Sequence, residues 1–353
     1  MKKIVVLGGG YGGQSVLLQL LEKKLPMDVE IILIDRMPYQ GLKTEYYALA
    51  AGTVADVNLR VSFPTHPQLR YHYGEVSHLD CENQRVYMVD GDPINYTTLI
   101  IALGCTDRYH GIPGADLYTH SLQSFQGARK TMMAVQDLKP YGQVTIVGGG
   151  LSGVEIAAEL RESRSDLKIR IIDRGPSILS PFPEKLKAAV RAWFIEHDVE
   201  LRPNTSLSRV ESGVLYDLDE PITSDVIIWT AGIQPVEVVQ KLELAKDAMG
   251  RVLVNDYYQV PEHPEVYIIG DCASSTFSPS GQLAKVQGKQ VAEVLQALWR
   301  GETPKLGPIK LKGTLGSLGK KTGFGVVGNN TMFGSMPRVL KSGVLWMSKN
   351  QRG

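Results

Sequence analysis

Residues 3–35 read KIVVLGGGYGGQSVLLQLLEKKLPMDVEIILID. Residues 3–7 are apolar from Ile4 onward and mostly β-branched, which predicts a strand buried on both faces, as in a parallel sheet. Three glycines follow at Gly8, Gly10 and Gly13 in G-x-G-x-x-G spacing. Behind them Val16, Leu17, Leu20 and Leu21 share one face of a predicted helix that Pro26 closes. Residues 29–34 predict a second buried strand, and Asp35 stands at its end. Strand, glycine turn, helix and strand make a βαβ unit. Its glycines have distinct tasks: Gly8 allows a tight turn, Gly10 lets a pyrophosphate approach the backbone, and Gly13 lets helix and strand pack closely. The helix N-terminus offers free N–H groups to the phosphates, and the terminal acid can accept hydrogen bonds from ribose hydroxyls.

The same grammar returns 140 residues later. Residues 143–173 read QVTIVGGGLSGVEIAAELRESRSDLKIRIID, with Gly148, Gly150, Gly153 and Asp173 in the equivalent places. That separation is too long for a solenoid repeat. It predicts two dinucleotide sites in one chain, and hence FAD together with NAD(P)H. The glycines alone do not say which site takes which cofactor. A glycine-rich turn without a ligand is the alternative for either copy taken singly.

Composition narrows the field. Lys plus Arg number 38 and Asp plus Glu 37, a net charge of +1. This argues against a general basic surface, so no nucleic acid is expected as a partner. Three cysteines, Cys81, Cys105 and Cys272, form no C-x-x-C pair, and the histidines are scattered, so no metal site is expected. The apolar run at 4–7 is too short for a signal-peptide core, and no stretch approaches the ~18 apolar residues of a spanning helix. The expected location is the cytoplasm.

Further stretches carry a resemblance. Residues 99–104 (LIIALG), 228–232 (IWTAG) and 267–273 (YIIGDCA) follow the N-terminal turn in the order seen in two-dinucleotide flavoproteins. Residues 43–53 (KTEYYALAAGT) and 313–328 (GTLGSLGKKTGFGVVG) resemble type II NADH dehydrogenases, the single-chain NADH:quinone oxidoreductases, of which this would be a C-terminally short member. The resemblance implies an α/β fold of two Rossmann-like domains. A discontinuous FAD domain would span 1–110 and 255–309, with an NADH domain inserted at 111–254 and a C-terminal segment at 310–353. It implies FAD and NADH as cofactors and hydride transfer from NADH to flavin. A quinone would be the electron acceptor, with a soluble redox protein as an alternative. An FAD-binding sensor or scaffold with little turnover is the reading from a different class. A homodimer and loose attachment to the inner face of the cell membrane complete the expectation.

Carried onto this chain, the cofactor-binding candidates on the flavin side are Gly8, Gly10, Tyr11, Gly12, Gly13, Asp35, Arg36, Lys43, Ala102, Gly104, Gly270, Asp271 and Ala284. On the nicotinamide side they are Gly148, Gly150, Leu151, Ser152, Gly153, Asp173, Ala231 and Gly232. Asp271 closes an apolar strand, where α/β ligands sit; a helix N-cap is its alternative role. Asp173 favours NADH, because a carboxylate repels a 2′-phosphate, and Arg174 beside it softens that repulsion. The catalytic candidates are Glu155, Gln282 and Lys320. Glu155 lies in the first turn of the second nucleotide helix, where an acid is also favoured by the helix dipole. Gln282 belongs to residues 281–288 (GQLAKVQG), which match the family motif A-Q-x-A-x-Q-x-G except that Val286 replaces its second glutamine. Gln287 follows, but its side chain projects about 100° away on a helix. Lys320 and Lys321 fall where the family brings a segment near the flavin edge; surface solvation is their ordinary fate.

One feature departs from the disulphide-reducing branches of this superfamily: residues 40–50 lack the C-x4-C pair. Cys105 and Cys272 each follow a strand end, where an approach between them stays open. The region from about residue 308 shows no clear periodicity. Its tail, 336–353, mixes Arg338, Lys341, Lys349 and Arg352 with Val339, Leu340, Val344, Leu345, Trp346 and Met347. Such a stretch suits a bilayer interface or a frayed or partner-bound terminus.

Overall fold

The computed structural model describes residues 2–350. Two parallel sheets form its two centres. The first has the strand order Gln259–Val260, His263–Ile268, Thr98–Ile101, Lys2–Leu7, Val29–Asp35, Leu69–Tyr73. All neighbours are parallel except the short antiparallel edge at Gln259–Val260. The register sets Leu7 against Ile34 on one side and Ile101 on the other, so the strand ends that carry the glycine turn, Asp35 and Ala102 lie side by side. The apolar run predicted this centre: Val5, Val6 and Leu7 are fully buried, as a strand covered on both faces requires.

One face of this sheet is covered by the helices Tyr11–Leu21 and Gly281–Trp299. They cross closely, because a Cβ on Gly288 would lie 2.3 Å from the Gly12 carbonyl oxygen. The long helix is capped at its start by the Ser280 hydroxyl, which accepts from the Leu283 N–H at 3.1 Å. The other face carries an antiparallel sheet of Val76–Asp80, Arg85–Met88 and Ile94–Asn95.

The second parallel sheet has the order His120–Ser121, Val226–Trp229, Gln143–Val147, Lys168–Ile172, Val199–Arg202. Helices Phe125–Gln136, Leu151–Ser163 and Glu184–Glu196 pack into its core. The two halves are tied by Cys105–Asp107 paired antiparallel with Ile233–Pro235.

The stretch without periodicity is ordered. Thr314–Leu318, Thr322–Val327 and Asn330–Gly334 form an antiparallel sheet, followed by the helix Ser335–Asn350. Glycines hide its strands from a pattern reading. They are needed because other groups press on the backbone: a Cβ on Gly316 would meet the Phe324 ring at 2.4 Å, and one on Gly323 would meet the Arg338 nitrogen at 2.6 Å. Among the described residues, no helix is long and apolar enough to cross a membrane.

Candidate functional site

The two glycine turns are built alike. Gly8 and Gly148 have φ of +91° and +104°, which side chains rarely adopt. A Cβ on Gly13 would lie 1.9 Å from the Gly8 oxygen, and one on Gly153 would lie 1.9 Å from the Gly148 oxygen. Helix and turn can close up only at glycine. In front of Gly10 and Gly150 a Cβ would meet nothing within 4 Å. These two N-caps therefore face open space beside the free N–H groups of a helix start, a cradle that fits a pyrophosphate. Tyr11 and Gly12, and Leu151 and Ser152, lie in the first turns behind them.

Each turn is braced by the acid of the following strand. Asp35 accepts from the Gly9 N–H at 2.6 Å and the Met37 N–H at 2.8 Å. Asp173 accepts from the Gly149 N–H at 2.6 Å and the Gly175 N–H at 2.6 Å. Burial raises the Asp35 pKa, and the amides at Met37 and Gly9 oppose this. Arg36 beside it is surface-exposed, 4.0 Å from Glu75.

At the first turn, Ala102 and Gly104 follow the neighbouring strand, and a Cβ on Gly8 would lie 2.5 Å from the Ala102 oxygen. Asp271 sits half-buried in the short turn Gly270–Cys272. The Gly270 N–H donates to Gln287 Oε1 at 2.7 Å, so the buried Gln287 secures the turn that carries Asp271. Ala284 is buried, with its Cβ 3.5 Å from where a Cβ on Gly270 would stand. Gln282 accepts from the Lys312 N–H at 2.6 Å, and Val286 is half-buried.

Lys43 Nζ lies 3.0 Å from Cys105 Sγ and 3.3 Å from the Cys105 carbonyl. Burial pushes the Cys105 thiol up to about 12, against the opposing pull of Lys43. Cys272 Sγ donates to the Gly104 carbonyl at 3.0 Å, and both thiols are free. Asp107, on the strand that joins the halves, is 2% exposed, and one of its oxygens has no hydrogen-bond partner. Burial pushes its carboxyl up to about 6, with Ser121 and Lys43 working against the rise.

Glu155 occupies a different setting. Its Oε1 accepts from the Ser317 N–H at 3.0 Å, from the Ser317 hydroxyl at 3.2 Å and from the Lys341 ammonium. Lys341 also reaches the Tyr47 hydroxyl at 2.8 Å and Glu45 at 3.5 Å. Tyr47 in turn donates to Glu45 at 3.0 Å. The side chains of Lys341, Glu155 and Glu45 are only 11%, 6% and 8% exposed. Two acids thus face one ammonium away from water. Burial raises the Glu155 pKa, and Lys341 opposes the shift. For Lys341, burial works to release its proton, but Glu155, Tyr47 and Glu45 prevail and hold it charged. The cluster is a buried carboxylate–ammonium pair with a second acid and a phenol beside it.

Of the catalytic candidates, only Glu155 lies in this cluster. Lys320 stands in the exposed hairpin turn after Thr314–Leu318, its backbone N–H donating to Glu162 at 2.7 Å. The ammonium beside Glu155 is that of Lys341, which sequence reading had counted among the surface basic residues of the tail. Arg338 also turns inward, its Nε donating to the Gly319 carbonyl at 3.0 Å. Arg352 lies outside the described residues. Sequence reasoning missed Glu45, Tyr47, Ser317 and Lys341 as a unit. The first two lie in KTEYYALAAGT and Ser317 in GTLGSLG, so those motifs held a signal; nothing local marked Lys341. At the second turn, Ala231 and Gly232 close against the glycines: a Cβ on Gly148 would lie 2.8 Å from Ala231 Cα, and the Ala231 carbonyl is 2.7 Å from His110 Nε2.

Known proteins are similar to this chain in sequence and in fold. The chain is 50% identical over 355 residues to NADH dehydrogenase-like protein YutJ of Bacillus subtilis (strain 168), covering all of both chains. It is homologous to type II NADH:quinone oxidoreductases; that of Staphylococcus epidermidis (strain RP62A) is 25% identical over 382 residues, covering 96% of this chain and 93% of the relative. Among solved structures, NDH2 from Plasmodium falciparum in complex with NADH matches with a TM-score of 0.85 at 16% identity, covering 98% of this chain and 94% of that one. The sulfide:quinone oxidoreductase from Aquifex aeolicus matches at 0.83 with 20% identity, covering 99% and 92%. These two likenesses concern the fold. The pyridine nucleotide-disulphide oxidoreductase profile matches residues 2–295, and the chain belongs to that family.

Proposed function

We propose that the protein oxidises NADH through FAD and passes the electrons to a quinone. The enzyme is an NADH dehydrogenase-like oxidoreductase, and its cofactors are FAD and NADH. In this reading residues 1–110 and 255–309 hold FAD, residues 111–254 hold NADH, and the C-terminal segment 310–353 covers the acceptor side. When bound, FAD would supply the acceptor for the hydride of NADH and the donor of electrons to the second substrate. The residues supply position and protons. Gly10 and Gly150 leave room for the pyrophosphates, while Asp35 and Asp173 keep the turns in shape. Reducing a quinone to a quinol requires two protons. The buried Glu155–Lys341 pair, under the C-terminal sheet and helix, is the observation that carries this reading: a carboxylate that burial inclines to take up a proton lies in direct contact with a protonated ammonium.

The helix Ser335–Asn350 turns Leu345 into the core and leaves Met336, Val339, Leu340, Trp346 and Met347 exposed. An apolar face of this kind supports loose contact with a membrane surface, where a lipid-borne quinone is found. Val286, in place of a glutamine, predicts slow quinone turnover. Losing one polar contact to a quinone carbonyl costs on the order of 1 kcal/mol.

The test is NADH oxidation by flavin-loaded protein with a short-chain quinone, a long-chain quinone in liposomes, and a soluble redox protein. We expect both quinones to be reduced, slowly, and Val286→Gln to speed both. Turnover with the redox protein alone would move the assignment to that class of acceptor. No turnover with any acceptor, with FAD bound, would favour a sensor or scaffold.

A further inference from the structure

Lys43 and Cys105 stand 62 residues apart in the chain and meet in the fold. Lys43 lies in the short turn Lys43–Glu45, and Cys105 opens the strand Cys105–Asp107 that joins the two halves. Among the described residues, the Lys43 ammonium makes both of its hydrogen bonds to Cys105, donating to Sγ at 3.0 Å and to the carbonyl oxygen at 3.3 Å. The thiol donates its own hydrogen elsewhere, to Gln123 Oε1 at 3.5 Å. A sulfur lone pair is therefore left to face the lysine nitrogen.

The other two cysteines have different neighbours. Cys272 donates to the Gly104 carbonyl at 3.0 Å and is wholly buried. Cys81 is about as buried as Cys105, but it faces Glu265, Asp80 and Glu82, which add to burial in raising its pKa. At Cys105 burial also keeps the thiol protonated at rest, and Lys43 is the group that pulls against it. An adjacent cation promotes oxidation of a thiol, because it favours negative charge on sulfur. Lys43 and Gly104 beside Cys105 are half-exposed, so a small oxidant has a short path to this sulfur.

We propose that Lys43 and Cys105 form a redox modification site, at which hydrogen peroxide joins Nζ to Sγ through one oxygen atom. The first peroxide takes the thiol to a sulfenic acid and leaves as water. The ammonium assists by giving a proton to the departing hydroxide. The second peroxide oxidises the freed amine to a hydroxylamine, again leaving water. The two groups then condense with loss of a third water. One ammonium, one thiol and two peroxides thus give the N–O–S bridge, three waters and a proton. Four electrons pass from sulfur and nitrogen to the two broken O–O bonds. An interposed oxygen spans the 3.0 Å gap with less movement than a direct N–S bond requires. The bridge removes the positive charge of residue 43 and fastens its turn to the strand between the halves. Four equivalents of a thiol reductant, oxidised to two disulphides, return the amine, the thiol and one water.

The experiment treats reduced, full-length, flavin-loaded protein with hydrogen peroxide and reads its peptides by mass spectrometry. We expect the peptides carrying residues 43 and 105 to appear joined, at their summed mass plus one oxygen and minus two hydrogens. Dithiothreitol should separate them. Thiols titrated after unfolding should fall from three to two and return to three on reduction. Lys43→Arg keeps the charge but has no primary amine, and it should abolish the joined species, as should Cys105→Ser. Cys272→Ser should retain it. The native protein alone decides whether the site exists; the variants assign the atoms. Cys105 recovered as a sulfinic or sulfonic acid on an unjoined peptide would overturn the proposal. So would a disulphide between Cys105 and Cys272, or loss of the Cys81 thiol in place of Cys105. The readout needs no turnover, so it stands or fails independently of the electron acceptor.

Discussion

The two nucleotide turns match in backbone and differ in what is packed behind them. Gly10 and Gly150 cap their helices with φ of −71° and −73°, and both turns tie an amide to an acid at 2.6 Å. Two residues past the last glycine, the first helix has Ser15 and the second Glu155. Ser15 donates to the Lys285 carbonyl at 2.7 Å and fastens its helix to Gly281–Trp299. Glu155 at the matching place faces the C-terminal sheet and meets Lys341. The local geometry that suits a pyrophosphate is therefore indifferent to function. The neighbour brought against the helix decides whether the position fastens two helices or enters a buried ion pair.

The largest expected effect breaks the symmetry at its base. Gly13→Ala and Gly153→Ala each force a Cβ into a carbonyl oxygen. If the turns divide the cofactors as proposed, Gly13→Ala purifies without yellow colour. Gly153→Ala stays yellow but fails to bleach with NADH. Released flavin measured on denatured samples checks this, and equal flavin loss in both variants would contradict the division.

The next effect concerns the cluster. Glu155→Gln should lower kcat with a quinone on the order of 10²-fold, the usual scale for losing an acid–base group, and leave flavin content unchanged. Lys341→Met leaves two buried acids without their cation and should cost about 3–5 kcal/mol of stability. Adding Glu155→Gln should recover part of that loss. A double variant no more stable than Lys341→Met would mean that the pair is not coupled.

The smallest effect lies between the two halves, at Asp107. Its carboxyl is raised to about 6 from 3.8 by burial. The folded state thus binds the proton more tightly than the unfolded state, and this contribution to stability is complete below pH 4 and lost as pH rises through 6. Ser121 and Lys43 are the groups opposing the rise. Asp107→Asn should match the native protein near pH 4 and exceed it above pH 6.5 by about 1–3 kcal/mol. Melting curves across that range check the sign. A difference independent of pH would show that Lys43 fully compensates the buried charge.

Much of this architecture was written locally. Residues 3–7, predicted as a strand, belong to Lys2–Leu7, and residues 143–147 form Gln143–Val147. The helix expected at 154–160 is longer, Leu151–Ser163, because its first turn is the glycine turn's own continuation. Each of these elements is specified by neighbours within about 30 residues: apolar runs, a glycine whose φ must be positive, an acid at a strand end. The site was legible only as far as it shared that local grammar. Gln287, set aside because it points away from Val286, proves to be buried on Gly270, since that 100° turn faces the neighbouring loop and not the solvent.

By itself, then, the sequence determined two dinucleotide turns, their acids and the sheets that carry them, because short-range sterics and hydrophobic burial leave few other solutions for such segments. Tertiary structure alone decided that Lys341, 186 residues from Glu155, is its partner. It also decided that Lys320 stays in solvent and that Lys43 meets Cys105. A lysine in a basic amphipathic tail looks like any other in one dimension. What distinguishes Lys341 is the cost of burying its charge, which is met only where the folded chain brings Glu155, Glu45 and Tyr47 around it.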